Sequence, residues 1–140
     1  MKYIIQDESE LPNFIQNLKK EFSHSKIFLL KGDLGAGKTT FVKYFIQSLD
    51  PNLEVQSPTF GIANLYHIGD CKILHSDLYR LETPEEVLET GVPELLMEVD
   101  YAFIEWYEPI LPWIEDGAIK IAIKIEKNIR IFEVNTFQKD

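Results

Sequence analysis

The sequence predicts an α/β domain whose sheet is parallel at its centre, and three observations carry that reading. An apolar run, Ile27-Phe28-Leu29-Leu30, passes through a glycine-bearing loop into a stretch with Phe41, Val42, Phe45 and Leu49 at helical spacing. Strand-like and helix-like segments interleave along most of the chain, which is the order that builds a parallel sheet. The closing segments, Ala118 to Ile125 and Asn128 to Val134, alternate as two paired strands should. At 140 residues a single domain over 1–140 is the natural count. A domain of that size can bury roughly 70% of its unfolded surface.

Taken in order, Tyr3-Ile4-Ile5 predicts a first strand, and Asp7-Glu8-Ser9 a helix start. Leu11, Phe14, Ile15, Leu18 and Phe22 fall on one face of a helix ending near Ser23, with Pro12 tolerated in its first turn. The strand from Ile27 and the helix to about Leu49 follow, with Pro51 beyond the end. Ser57-Pro58-Thr59 is turn-like. Ala63 to His67 and Cys71 to Leu74 then read as two strands joined through Gly69-Asp70. Thr83-Pro84-Glu85-Glu86 combines a capping residue, a first-turn proline and a capping-box glutamate, so a short helix begins there and stops near Gly91. Pro93-Glu94-Leu95-Leu96 predicts another turn. Tyr101-Ala102-Phe103-Ile104 is the next apolar run, leading into Glu105-Trp106.

Composition removes several classes of function. No apolar run approaches ~20 residues, so no membrane-spanning helix is expected. The opening MKYIIQDESE turns acidic after Ile5 and does not fit a secretory signal. A lone cysteine, Cys71, excludes an internal disulfide framework and a cysteine-rich metal site. A cytoplasmic protein is the expectation. With 23 acidic against 14 basic residues the net charge is −9, and the arginines are Arg80 and Arg130 alone. A chain that gripped nucleic acid by itself would need a basic face, so nucleic-acid binding without help is not expected.

The chemistry concentrates after the first apolar run. Gly32-Asp33-Leu34-Gly35-Ala36-Gly37-Lys38-Thr39 fits the phosphate-binding pattern G-x-x-x-x-G-K-[ST] at every fixed position. Glycines let successive backbone N–H groups turn inward around a phosphate chain, where a Cβ would obstruct them. Lys38 would bring positive charge to the outer phosphates, the Thr39 hydroxyl would be a Mg²⁺ ligand, and the following helix aims its positive end at the same anion. The strand before and the helix after supply the context that a chance glycine loop lacks. A nucleotide-binding protein follows.

Ligands of an open α/β sheet collect at the C-terminal ends of its strands. Asp77 follows the strand 71–74, Glu105 follows 101–104, and Thr59 lies in the Ser-Pro-Thr turn. A Mg·nucleotide site needs a carboxylate on the metal side and a group that orients water. Glu105 suits the metal side, and Asp77 suits either role. His75 is expected to pack or hydrogen-bond, because no second histidine stands at a metal-binding spacing. Tyr79 and Trp106 are core aromatics or stack on a base or a partner, and spacing does not decide between these. Arg80 can reach a phosphate or a carboxylate. No Asn-Lys-x-Asp string reads guanine, and two arginines cannot form the lid of a small-molecule kinase, so hydrolysis is expected rather than transfer to a metabolite.

The set GDLGAGKTTF, SPTF, H-x-D-L-Y-R and E-W, in that order and at these separations, resembles the bacterial TsaE (YjeE) family across nearly the whole chain. The resemblance implies a P-loop NTPase-like three-layer sandwich with a mostly parallel central sheet and antiparallel additions at the edge. It implies Mg²⁺ and ATP binding and a weak ATPase yielding ADP. That activity matters with the partners TsaB and TsaD, which place threonylcarbamoyl on the adenosine beside the tRNA anticodon. A nucleotide-dependent switch without significant hydrolysis is the alternative. Carried over, Gly35, Ala36, Gly37, Lys38, Thr39 and Thr40 resemble the phosphate-holding residues, with Thr39 and Glu105 holding Mg²⁺. Thr59 resembles a switch-like threonine, Asp77 the acidic residue of the His-to-Arg motif, and Trp106 the aromatic after the glutamate. The family's N-terminal acidic turn maps near Asp7-Glu8. Its late basic residue maps to Lys127 ahead of Arg130, and both sets are expected near the base or ribose. Lys43-Tyr44 stands where many members have an arginine and a glycine, and Tyr107 where a proline or small residue is common.

Overall fold

The computed structural model describes residues 1–58 and 62–140. In chain order the elements are β1 (Lys2–Ile5), α1 (Leu11–Glu21), β2 (Ile27–Lys31), α2 (Lys38–Leu49), β3 (Ala63–Ile68), β4 (Cys71–Asp77), α3 (Pro84–Thr90), α4 (Val92–Leu96), β5 (Tyr101–Glu105), β6 (Ile119–Glu126) and β7 (Ile129–Thr136). Single 3₁₀ turns occupy Glu8–Glu10 and Glu108–Trp113. The strands form one seven-stranded sheet in the order β1-β7-β6-β2-β5-β4-β3. β6, β2, β5 and β4 run parallel, while β7 with β1 on one side and β3 on the other are antiparallel additions.

Burial explains why each strand reads as it does. β2, covered on both faces, is a continuous apolar run with Phe28, Leu29 and Leu30 fully buried. β6, covered on one face, alternates instead: Ile119, Ile121 and Ile123 are buried and Lys120 and Lys124 exposed. On one face of the sheet, Leu11, Phe14, Ile15 and Leu18 of α1 and Phe41, Val42, Phe45 and Ile46 of α2 close over Phe28, Leu30, Phe103, Ile121 and Phe132. On the other, Val87, Val92, Ile110 and Ile114 close over Leu29, Leu74, Ala102 and Ile104. These are the three layers. The first face is rich in aromatics: the Phe103 ring stacks on Phe28 at 5.2 Å and meets Phe45 edge-on at 4.8 Å. Such pairs contribute about 0.5–1.5 kcal/mol each beyond area burial. Among the described residues no helix is long and apolar enough to cross a membrane.

Three boundaries differ from the sequence expectation. β4 continues to Asp77 rather than stopping at Leu74, and Glu105 is the last residue of β5 rather than the first after it. The ladder extends because its polar residues find partners. Asp77 and Glu105 pair in register, and the Ser76 hydroxyl donates to the Ile62 carbonyl at 2.9 Å. The predicted helix start at Asp7 is a capped 3₁₀ turn ahead of α1: Asp7 accepts from the Ser9 amide at 3.0 Å, and Glu10 accepts from the Gln6 and Asp7 amides at 2.7 and 2.9 Å. The terminal hairpin turns on Lys127 and Asn128, both left-handed (φ 46° and 71°), the conformation a two-residue hairpin turn demands.

Candidate functional site

β2 hands the chain to the loop 32–37 and then to α2, so the phosphate-binding pattern lies on a strand–loop–helix unit at the C-terminal edge of the parallel strands. Two glycines are forced by the geometry. A Cβ on Gly32 would stand 2.8 Å from the Ile123 carbonyl oxygen of β6. Gly37 has φ 111° and is the N-cap of α2, with no side chain capping it. The first N–H groups of that helix are thus left to an anion.

Lys38, almost completely buried, donates from Nζ to the Gly32 carbonyl, and its Nζ sits 4.2 Å from the Trp106 ring centroid. One residue on, the Thr39 hydroxyl donates to Glu105 Oε2 at 3.1 Å and accepts from the Ser57 hydroxyl at 3.4 Å. Glu105 is only 3% exposed, and the imidazole Nε2 of the fully buried His75 lies 2.5 Å from the same Oε2. Both distances follow from register: His75 and Asp77 alternate on one face of β4, Glu105 ends β5 beside them, and α2 begins above. The Thr39 hydroxyl and the Glu105 carboxylate are hard oxygen donors. Such a pair fits Mg²⁺, which takes one or two protein oxygens and completes its shell with water and phosphate. Among the described residues no group of three or more His, Cys, Asp or Glu forms an all-protein metal cage.

Half-buried Asp77 has its carboxyl held above the usual range, first by desolvation and further by the Glu105 carboxylate. The 3.0 Å hydrogen bond from the Tyr79 amide, with the Lys38 ammonium, partly opposes that rise. Trp106 has a left-handed backbone (φ 54°), a costly conformation for a bulky residue and one that marks functional turns. It lies between Lys38 and the exposed Tyr79, whose ring centroid is 4.9 Å away. Arg80 is exposed on the loop after β4. Thr59, the expected switch-like threonine, lies outside the described residues.

A cavity of about 250 Å³ opens beside Gly37, lined by Asp7, Glu8, Thr40, Asn128 and Arg130 among others. The two candidates for the late basic residue lie apart. Lys127 occupies the exposed hairpin turn and does not line this cavity, whereas the Arg130 Nε approaches Gly37 to within 3.2 Å of where a Cβ would be. The sequence carried the signal: Arg130, Phe132 and Val134 share one face of β7 by period-2 alternation, and the latter two are core. Tyr44, one of the departures from the family pattern, stands by the acidic turn. Desolvation, then the carboxylates of Glu8 and Asp7, hold its phenol above the ordinary range. The Asp7 carboxyl is itself held low by hydrogen bonds from the Ser9 hydroxyl and amide. Sequence reading did not anticipate the Tyr44 contact, nor that His75 would touch the Glu105 carboxylate.

Fold and site together define an α/β domain with a phosphate-loop strand–loop–helix unit and acidic groups at the adjoining strand ends. The chain belongs to the family described as "Threonylcarbamoyl adenosine biosynthesis protein TsaE", whose sequence model matches residues 5–132. It is 35% identical over 127 residues to the tRNA threonylcarbamoyladenosine biosynthesis protein TsaE of Rickettsia typhi, covering 90% of this chain and 88% of that protein. The protein of the same name from Borreliella burgdorferi is 35% identical over 133 residues, 91% of this chain and 94% of its own. The crystal structure of Bacillus subtilis YdiB superposes with a TM-score of 0.70 at 27% identity, covering 97% of this chain and 84% of that one. Membership assigns the chain to the tRNA threonylcarbamoyladenosine biosynthesis family.

Proposed function

We propose that this chain is the Mg²⁺-dependent ATP-binding and ATP-hydrolysing component of the machinery that forms N6-threonylcarbamoyladenosine next to the tRNA anticodon, acting with TsaB and TsaD in the cytoplasm. The observation that carries the reading is the contact of Thr39 with Glu105 across the phosphate loop, beside the buried Lys38. In this reading the uncapped start of α2 and the loop amides from Gly35 to Thr40 take the phosphates. Lys38 leaves the Gly32 carbonyl for the outer phosphates, and Thr39 and Glu105 hold Mg²⁺. The ion, when bound, neutralises charge on the outer phosphate oxygens. Asp77, whose carboxyl is desolvated but not sealed, orients the attacking water or steadies the metal shell. The base and ribose enter the cavity between Gly37, Asp7, Glu8 and Arg130, with ADP as product. The net charge of −9 supports contact with tRNA through the other subunits rather than by this chain alone.

One observation favours a second reading, a nucleotide-dependent switch without significant hydrolysis. Arg80 is exposed and Arg130 rests against Gly37, and among the described residues neither arginine forms an ion pair. Comparing ATP turnover by the chain alone with turnover in the presence of TsaB, TsaD and tRNA separates the two. Turnover that rises with the partners supports the ATPase, and turnover that ignores them supports the switch.

A further inference from the structure

We propose that His75 is a positioning residue for the metal-side carboxylate, a role that rests on the Mg·nucleotide reading above. His75 is fully buried on β4, and its Nε2 lies 2.5 Å from Glu105 Oε2. The Thr39 hydroxyl donates to that same oxygen. Both contacts therefore fall on Oε2, and Oε1 is left without a donor among the described residues. A carboxylate tethered by one oxygen in this way leaves the other free to take a cation.

The direction of the His75 bond follows from its other nitrogen. Nδ1 is buried and has no hydrogen-bond partner among the described residues. Were the proton on Glu105 and donated to Nε2, the neutral ring would carry its own proton on Nδ1, as a buried N–H with no acceptor. That is a more costly orphan than a bare nitrogen lone pair. The ring is thus the Nε2–H tautomer, donating to an ionised Glu105. Partners of this kind, one step behind a metal ligand, fix its orientation, and their loss typically lowers metal affinity by about 10–100-fold. Phe103, the register partner of His75, and Ile73, two residues before it on β4, are buried core residues of the same face.

The test measures ADP affinity with Mg²⁺ and with EDTA, so that no turnover is required. His75→Leu is expected to lose about tenfold or more of the Mg²⁺-dependent gain while its affinity in EDTA stays within about twofold of the parent. His75→Gln, whose amide nitrogen reaches about the place of Nε2, is expected to recover most of that gain. A purely structural role would lower both affinities together and would not distinguish glutamine from leucine. Leucine also removes a buried partner of Glu105, so ¹⁵N imidazole spectra of the unaltered protein provide a second reading that does not depend on the variant folding. They should show His75 protonated at Nε2 and not at Nδ1. A proton on Nδ1 overturns the proposal, as does an unchanged Mg²⁺ gain in folded His75→Leu. If the parent itself shows no ADP binding, the nucleotide reading has failed; if it binds ADP with a Mg²⁺ gain that His75 variants do not alter, only the positioning role has.

Discussion

The Arg130 guanidinium rests against Gly37, its Nε 3.2 Å from the point a β-carbon would occupy, and so joins the last strand of the sheet to the N-cap of the phosphate-loop helix. β7 contributes this cation although about ninety residues separate it from the loop. Arg130→Ala is therefore expected to weaken ADP binding by about tenfold, the size of one charge-assisted hydrogen bond. Lys127→Ala, in the exposed turn, should change it by less than about twofold. Equilibrium titration of both variants decides between the two residues, and the reverse ranking would favour Lys127. Gly37→Ala should cost about 1–2 kcal/mol from its left-handed backbone alone, besides displacing Arg130.

Substitution can separate the metal role proposed for Glu105 from its hydrogen bonds to Thr39 and His75. Glu105→Ala removes the metal-side carboxylate and also strands the His75 Nε2–H inside the core. It should raise the Mg²⁺ requirement and lower stability by about 1–3 kcal/mol. Glu105→Gln keeps an acceptor for His75 and Thr39 and should spare most of the stability while still losing the Mg²⁺ effect. Denaturant unfolding beside Mg²⁺ titration reads the two quantities independently. Overlaid Mg²⁺ titrations for parent and Glu105→Gln would exclude Glu105 from the metal site.

Asp77 predicts an opposite sign. Its folded-state carboxyl titrates above the ordinary value because burial and Glu105 disfavour its charge. The folded protein therefore holds that proton more tightly than the unfolded chain, and this group costs stability once pH rises above the unfolded value. Asp77→Asn keeps the acceptor for the Tyr79 amide and removes the buried charge. It should raise the unfolding midpoint at neutral pH, with the gain fading as pH falls below the carboxylate range, and should slow ATP hydrolysis. Thermal unfolding across pH tests this; a neutral-pH loss of stability would show that the charge on Asp77 is compensated. Stability given up at a reactive group is a common signature of a working site.

What the sequence made legible was local. The phosphate loop, its strand and its helix follow from glycine spacing and a 3.6-residue period, and the capping signals at Thr83 placed α3: the Thr83 hydroxyl accepts from the Glu86 amide at 3.2 Å. What it hid depended on non-local pairing. β4 runs through His75-Ser76-Asp77 only because β5 lies beside it, and a polar tripeptide at the end of an apolar run reads as a loop when that neighbour is unknown. β1 reaches its place by pairing with β7, from the other end of the chain. The 3₁₀ turn Glu108–Trp113 carries prolines at 109 and 112, which suppress any helical pattern, yet it buries Pro109 and Ile110 on the second face. Arg130 shows a signal present but unused, since its alternation with Phe132 fixed the face it would take.

The remaining prediction concerns activation. Isolated chain should hydrolyse ATP slowly, on the order of 10⁻² per second or less, as phosphate-loop enzymes do when catalytic groups are incompletely placed. Lys38 is held by the Gly32 carbonyl and the Trp106 ring, Arg80 is exposed, and Asp77 stands beside the site with a desolvated carboxyl. A partner surface that turned Arg80 inward would accelerate hydrolysis by positioning alone. An arginine supplied in this way contributes as much as about 10³-fold or more in related chemistry. Single-turnover hydrolysis with and without the TsaB–TsaD pair is the measurement, using Thr59→Ala and Arg80→Ala beside the parent. The parent should respond to the pair and Arg80→Ala should lose most of that response, with its basal rate within about twofold. Lys38→Ala, which removes the phosphate-facing cation, should abolish both basal and stimulated rates while the fold persists. Rapid hydrolysis by the lone chain, or a parent indifferent to the pair, would sink the partner-activation model.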